Sequence, residues 1–141
     1  MDPYKAGMIP SNIYQERRMV SGKLVAVMDC YLENRGLQLI PQPTRAFKKW
    51  DIIELIATEE TSSQNSTINS IAYLGFFEVT SGGIIQKSDK LKVNEKIIGS
   101  VLGYDETHMP NHINMIINLK EQRTGLELGF KVMDEVSFLT R

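Results

Sequence analysis

Short runs of branched and aromatic residues, cut at close intervals by turn formers, recur along this chain, and no long segment carries apolar residues at helical spacing. Residues 22–32 (GKLVAVMDCYL) precede Asn34-Arg35-Gly36 and then LQLIP, which reads as a hairpin. Pro41 and Pro43 cannot donate ladder hydrogen bonds, so they end that strand or confine it to an edge. Residues 45–57 (RAFKKWDIIELIA) form the next strand, and residues 58–67 (TEETSSQNST) are an uninterrupted polar loop. Residues 69–80 (NSIAYLGFFEVT) return to strand chemistry before a turn at Ser81-Gly82-Gly83. Leu91 and Val93 alternate with Lys90 and Lys92, Asn94-Glu95 turns the chain, and Ile97, Ile98, Val101 and Leu102 continue it. HINMIINL, GLELGFKV and EVSFL complete the set. Gly99 and Gly103 interrupt a strand, where glycine marks a bulge or a close backbone approach and lets a sheet curl. The spacing predicts an all-β fold, a small barrel of about eight mostly antiparallel strands.

At 141 residues the chain fits one domain. Residues 1–20 are polar and broken by Pro3, Gly7 and Pro10, and read as an N-terminal arm. An amphipathic helix over Asn12 to Met19 is the alternative, and residues 21–141 make the barrel domain. Lys plus Arg number 16 against 17 Asp plus Glu, a net charge of -1, which offers no footprint for nucleic acid. Cys30 has no second cysteine to pair with, which suits a reducing compartment. No apolar segment has the length of a signal peptide or of a membrane span, so the expectation is a cytoplasmic protein without a membrane partner. Small size and open strand edges lead us to expect a homodimer.

Both histidines fall in one segment, Gly103-Tyr104-Asp105-Glu106-Thr107-His108-Met109-Pro110-Asn111-His112-Ile113-Asn114. Such residues carry proton transfer and oxyanion stabilisation, although Asp, Thr, Pro and Asn also serve turn geometry alone. His108 and His112, four apart, would share a helix face and a metal, but Pro110 breaks that helix, so the spacing argument fails. A loop that converges Asp105 or Glu106 with the histidines is the remaining route to a metal; the reading preferred is chemistry without metal, and no cofactor is expected. A strand starting near Asn111 would put His112, Asn114 and Ile116 on one face. In this reading His112 is the acid or base and His108 a second candidate. Asp105 or Glu106 orients the imidazole, and Asn114, Asn111, Tyr104 and Trp50 contact a small-molecule substrate. Isomerisation, cyclisation, dehydration and lyase chemistry all fit this set. The competing structural account lets His112 cap the loop by bonding to backbone. Cys30 reads as a buried small hydrophobe, and Trp50, Phe47, Tyr73, Phe76 and Phe77 as core, barrel-lining or pocket-lining residues. The alternative of another class is a non-catalytic interaction or regulatory module.

Residues Tyr73 to Asn118 resemble an uncharacterised family of small single-domain bacterial proteins. Leu74-Gly75-Phe76, Leu91 to Gly99, and the segment from Gly103 to Asn114 carry that likeness. More distantly, Gly83 to Leu91, Ile98 to Gly103 and Asn111-His112-Ile113 are similar in order to the β-barrel of glucitol/sorbitol-specific phosphotransferase enzyme IIA. That resemblance implies a barrel. The family's phosphate-accepting histidine lies in the strand before the turn, where this chain has Ala72-Tyr73-Leu74-Gly75-Phe76, so a phosphocarrier role is not implied.

Overall fold

The computed structural model describes residues 14, 16–61 and 67–140. Among these the chain forms strands and no helix. In order they are β1 (Ser21–Val27), β2 (Tyr31–Leu32), β3 (Leu37–Gln38), β4 (Thr44–Phe47), β5 (Ile52–Thr58), β6 (Thr67–Ile68), β7 (Ile71–Ser81), β8 (Gly83–Gln86), β9 (Lys90–Val93), β10 (Lys96–Asp105), β11 (Ile113–Asn118) and β12 (Glu135–Leu139). Seven of them close a ring, β1-β12-β9-β10-β11-β5-β7, because β7 also pairs with β1; β2 lies outside it on β7. Strand directions cannot alternate all the way round an odd ring. One neighbouring pair must therefore be parallel, and it is β5 with β11, where Ile53 faces Ile113 and Glu54 faces Asn114. The remaining neighbours are antiparallel, as the sequence predicts.

Alternation along the strands sorts side chains to two faces of the wall. Ile53, Leu55 and Ala57 of β5 and Ile113, Met115 and Ile117 of β11 pack inward with Leu24, Phe77, Leu91, Tyr104 and Phe138. The ring interior is thus filled by side chains, as in other small barrels. A second, smaller core lies on the outer face, where Leu37, Leu39, Ile68 and Ile71 cover Ile56, Tyr73 and Ile116. Register shifts occur between Ile97 and Gly99 and between Val101 and Gly103, at the glycines the sequence singles out. A Cβ on Gly99 would lie 2.3 Å from the Asn118 carbonyl oxygen, so β11 approaches too closely for any other residue.

Several expectations are corrected. β1 does not form a hairpin with LQLIP; it closes the ring between β12 and β7, and Leu37–Gln38 pairs with Thr67–Ile68. Residues 45–57 are two strands, because the Asp51 carboxylate accepts the Lys48 backbone N–H at 2.9 Å and ties off a turn in which Trp50 has φ 83°. Trp50 is consequently 65% exposed and not a core residue. Phe47, Tyr73 and Phe77 are buried as expected. Residues 125–132 are turns and irregular chain instead of a strand. Thr124 and Glu127 exchange side-chain bonds to each other's backbone N–H, a capping box, and Gly129 (φ 80°) stops the helical turn they open. Cys30 is exposed, in the link between β1 and β2.

The expected arm lies mostly outside the described residues, as does part of the alternative helix; Arg17 to Val20 have no regular structure. Arg17 forks onto Asp89 at 2.7 and 2.8 Å, and Asp89 also accepts the Gln86 N–H at 2.9 Å. Both charges are nearly buried, so the pair is expensive to break from one side. Asp89→Ala is expected to lower the unfolding free energy by about 3–5 kcal/mol in urea titrations; a loss below about 1 kcal/mol, the size of an exposed pair, would count against this anchor.

Candidate functional site on the outer wall

Inward packing of residues 53, 55 and 57 leaves Glu54 on the outer face, and the same alternation turns Asn114 outward. Register across four strands then sets Asp105 of β10, Asn114 of β11, Glu54 of β5 and Phe76 of β7 side by side. Directly opposed residues on neighbouring strands lie within side-chain reach. The bulge at Leu74-Gly75, where Gly75 has φ 149°, is what places Phe76 in this row. Without it, Phe77 and Val79 could not share the interior with Ala72 and Leu74.

The connection from β10 to β11 folds back over the row. Met109 N–H donates to the Glu106 carbonyl and Asn111 N–H to that of His108, and the Met109–Pro110 peptide is cis. His112 sits just before β11, not within it, and its Nε2 lies 3.0 Å from Glu54 Oε1. His108 Nδ1 lies 3.9 Å from the same oxygen. The two imidazole centroids are 4.9 Å apart, and the Phe76 ring meets His112 edge-on at 5.0 Å. Side-chain exposure falls from 39% at His108 to 12% at His112 and 5% at Glu54. A nearly buried carboxylate is thus set between Asn114 and Phe76 with the two imidazoles beside it.

Neighbouring donors assign the ring protons. Arg35 Nη2 is 3.3 Å from His108 Nε2, and a guanidinium only donates, so that nitrogen accepts and the proton rests on Nδ1. Glu54 accepts from His112 Nε2–H, and the Asn111 amide meets His112 Nδ1 at 2.8 Å.

The residues singled out in the sequence divide into three groups. His108, His112, Asn111 and Asn114 do converge. Asp105 converges with them but does not orient an imidazole: it accepts the Thr107 and Gln38 N–H groups at 2.9 and 2.8 Å and the Asn114 amide at 3.1 Å. Burial pushes the Asp105 carboxyl up, but hydrogen bonds from Thr107, Gln38 and Asn114 outweigh it and hold the group below the usual carboxylate range. Asp105 therefore positions Asn114, which lies against His108 Nδ1. Glu106 pairs with Arg45. Tyr104 is inside the barrel, donating its hydroxyl to the Ile85 carbonyl at 2.8 Å, and burial raises its pKa. Trp50 stands exposed at the turn before β5.

Sequence reasoning misses Glu54 and Arg35. The available signal for Glu54 is a lone charge inside the apolar run IIELIA. Beside the cluster is an open cavity of about 160 Å³ whose walls include Arg45, Phe47, Ile52, Met109, Asn111 and His112.

Residues 14–139 match the model of a family of unknown function (DUF6917). No curated protein and no solved structure matches the chain.

Because the Asp105 carboxyl titrates lower in the folded chain than its unfolded value of about 3.9, its contribution to stability is present above that value and disappears as pH falls through the native one. Asp105→Asn is expected to cost about 1–3 kcal/mol at pH 7. Urea titrations should show the gap to the native chain narrowing on acidification below about pH 4; a gap independent of pH would contradict the assignment.

Proposed function

The chain belongs to the DUF6917 family of unknown function, and from its own geometry we propose that it binds a small metabolite at the outer wall and catalyses proton transfer on it, in an isomerase-, cyclase- or lyase-type reaction. The observation that carries this reading is the buried Glu54 carboxylate held 3.0 Å from His112, a residue that also lines the cavity. Imidazoles and carboxylates at hydrogen-bond distance are the usual agents of proton movement. A cavity of this size has room for about five waters, so the part of the ligand seated in it spans about two to four carbons. Arg45, in the wall and paired with Glu106, would take a carboxylate on that ligand by exchanging or sharing that partner. The exposed, unpaired Cys30 is consistent with a cytoplasmic, reducing setting; bacterial origin rests on the sequence resemblance alone.

A panel of two- to four-carbon hydroxy acids, keto acids and polyols, added to the 15N-labelled chain, tests binding. Shifts are expected at the amides of Met109, Asn111, His112 and Ile113 and are expected to vanish in His112→Ala. The same panel in D2O reports proton transfer as loss of substrate C–H signal. Shifts confined to other faces, or unchanged in His112→Ala, would overturn the site.

A second reading, an interaction module that forms homodimers, is favoured by β2, which stands outside the ring with Tyr31 46% and Leu32 42% exposed. An open strand edge bearing apolar residues invites pairing with another chain. Sedimentation is expected to show a dimer that Leu32→Asp dissociates; a monomer at every concentration would contradict it.

A further inference from the structure

Glu54, His108 and His112 offer a carboxylate oxygen and two imidazole nitrogens, none more than 4.8 Å from another. We propose that these three residues bind one divalent transition-metal ion. The inference rests on the preceding reading that this cluster is the working site, and it names that site's cofactor.

Donors on one zinc-sized ion, each at 2.0–2.1 Å, sit roughly 3.0–3.4 Å apart. His112 Nε2 and Glu54 Oε1 already stand at 3.0 Å and His108 Nδ1 at 3.9 Å from the same oxygen. Rotation of His108, on its loop and 39% exposed, closes the rest. Two imidazoles and one carboxylate suit zinc, cobalt, nickel and iron(II), whereas calcium and magnesium prefer all-oxygen sets. Three protein ligands leave coordination positions open, the pattern of catalytic and not of structural centres. Burial adds to the case: the Glu54 carboxylate is 5% exposed and its side-chain partners among the described residues are the two imidazoles, so a cation held between them would complete its compensation.

The surroundings fit the role of orienting the ligands. With its amide turned end for end, Asn111 accepts Nδ1–H of His112 once Nε2 holds the ion. Asn114, fixed by Asp105, braces His108. Arg35 works in the opposite direction. Its contact keeps the proton on His108 Nδ1, so loading requires that contact to release, and Arg35 sets how readily the site fills.

The test uses the untagged full chain, stripped with EDTA and titrated with Co²⁺, followed by its visible absorption, and with Zn²⁺ by calorimetry. One ion per chain is expected, with affinity lowered at least about 100-fold in Glu54→Gln and His112→Ala and raised in Arg35→Ala. His108→Ala changes only a half-exposed loop residue. It is expected to weaken binding while the melting temperature of the metal-free chain stays unchanged, which keeps the test valid should the buried variants unfold. No stoichiometric binding by the native chain, or equal affinity in His108→Ala, would overturn the site. The metabolite panel is repeated on stripped protein. A chain that binds no metal yet shows the cavity shifts sinks this inference alone; one that binds metal but no panel member sinks the preceding reading and leaves this one standing.

Discussion

Closing a sheet on seven strands forces one parallel seam, and the candidate site hangs on that seam. Parallel neighbours begin at the same rim of the barrel. β5 and β11 therefore bring Glu54 and Asn114, each near the start of its strand, into direct register. The loop that leads into β11 consequently arrives over the beginning of β5. Had the two strands run antiparallel, the residue preceding β11 would have faced the far end of β5, around Thr58, and His112 would not reach Glu54. The chemistry on the wall is in this sense a consequence of how the ring closes.

What the sequence discloses and what it conceals follow from the range of the interaction involved. The all-β class, the turn through Asn34 and Gly36, and the irregularities at Gly99 and Gly103 are legible because each is written in a few consecutive residues. The break at Lys48–Asp51 is also local, but its signal is an Asp side chain closing on a backbone N–H, easily overlooked beside the apolar run that follows. Thr124 and Glu127 are similar: a capping signature in a segment whose apolar spacing also suits a strand. Glu54 is different in kind. It lies 58 positions from His112, and only the order of strands in the ring brings the two together. The histidine loop could be found by composition, but its carboxylate partner could not be chosen among Asp105, Glu106 and a residue with five intervening strands between it and the loop without the topology.

The packed interior also separates two tasks that a hollow barrel would combine. Side chains facing inward hold the ring together, while the outward set on β5, β10 and β11 carries polar groups at one end and the second core farther along. Polar residues at the rim are tolerated because each finds a partner: Asp105 has three donors, Asn114 bridges Asp105 and His108, and Glu54 takes His112. A network of this kind is costly when incomplete and rigid when complete.

The cover over the second core is slight. β3 and β6 contribute two residues each, yet the Gln38 backbone N–H reaches down to Asp105 and so belongs both to the cover and to the hydrogen-bonded row beneath it. Short ladders have few cross-strand bonds of their own and rely on the apolar contacts they bury, here Leu37 and Ile68. Each opening of this flap would take a donor away from Asp105, loosen Asn114 and release His108, without disturbing the ring. The wall beneath is stiff, and the arrangement on it also depends on this small cover, which the buried Leu37 and Ile68 and the Ile40 N–H bond to the Tyr104 carbonyl hold down.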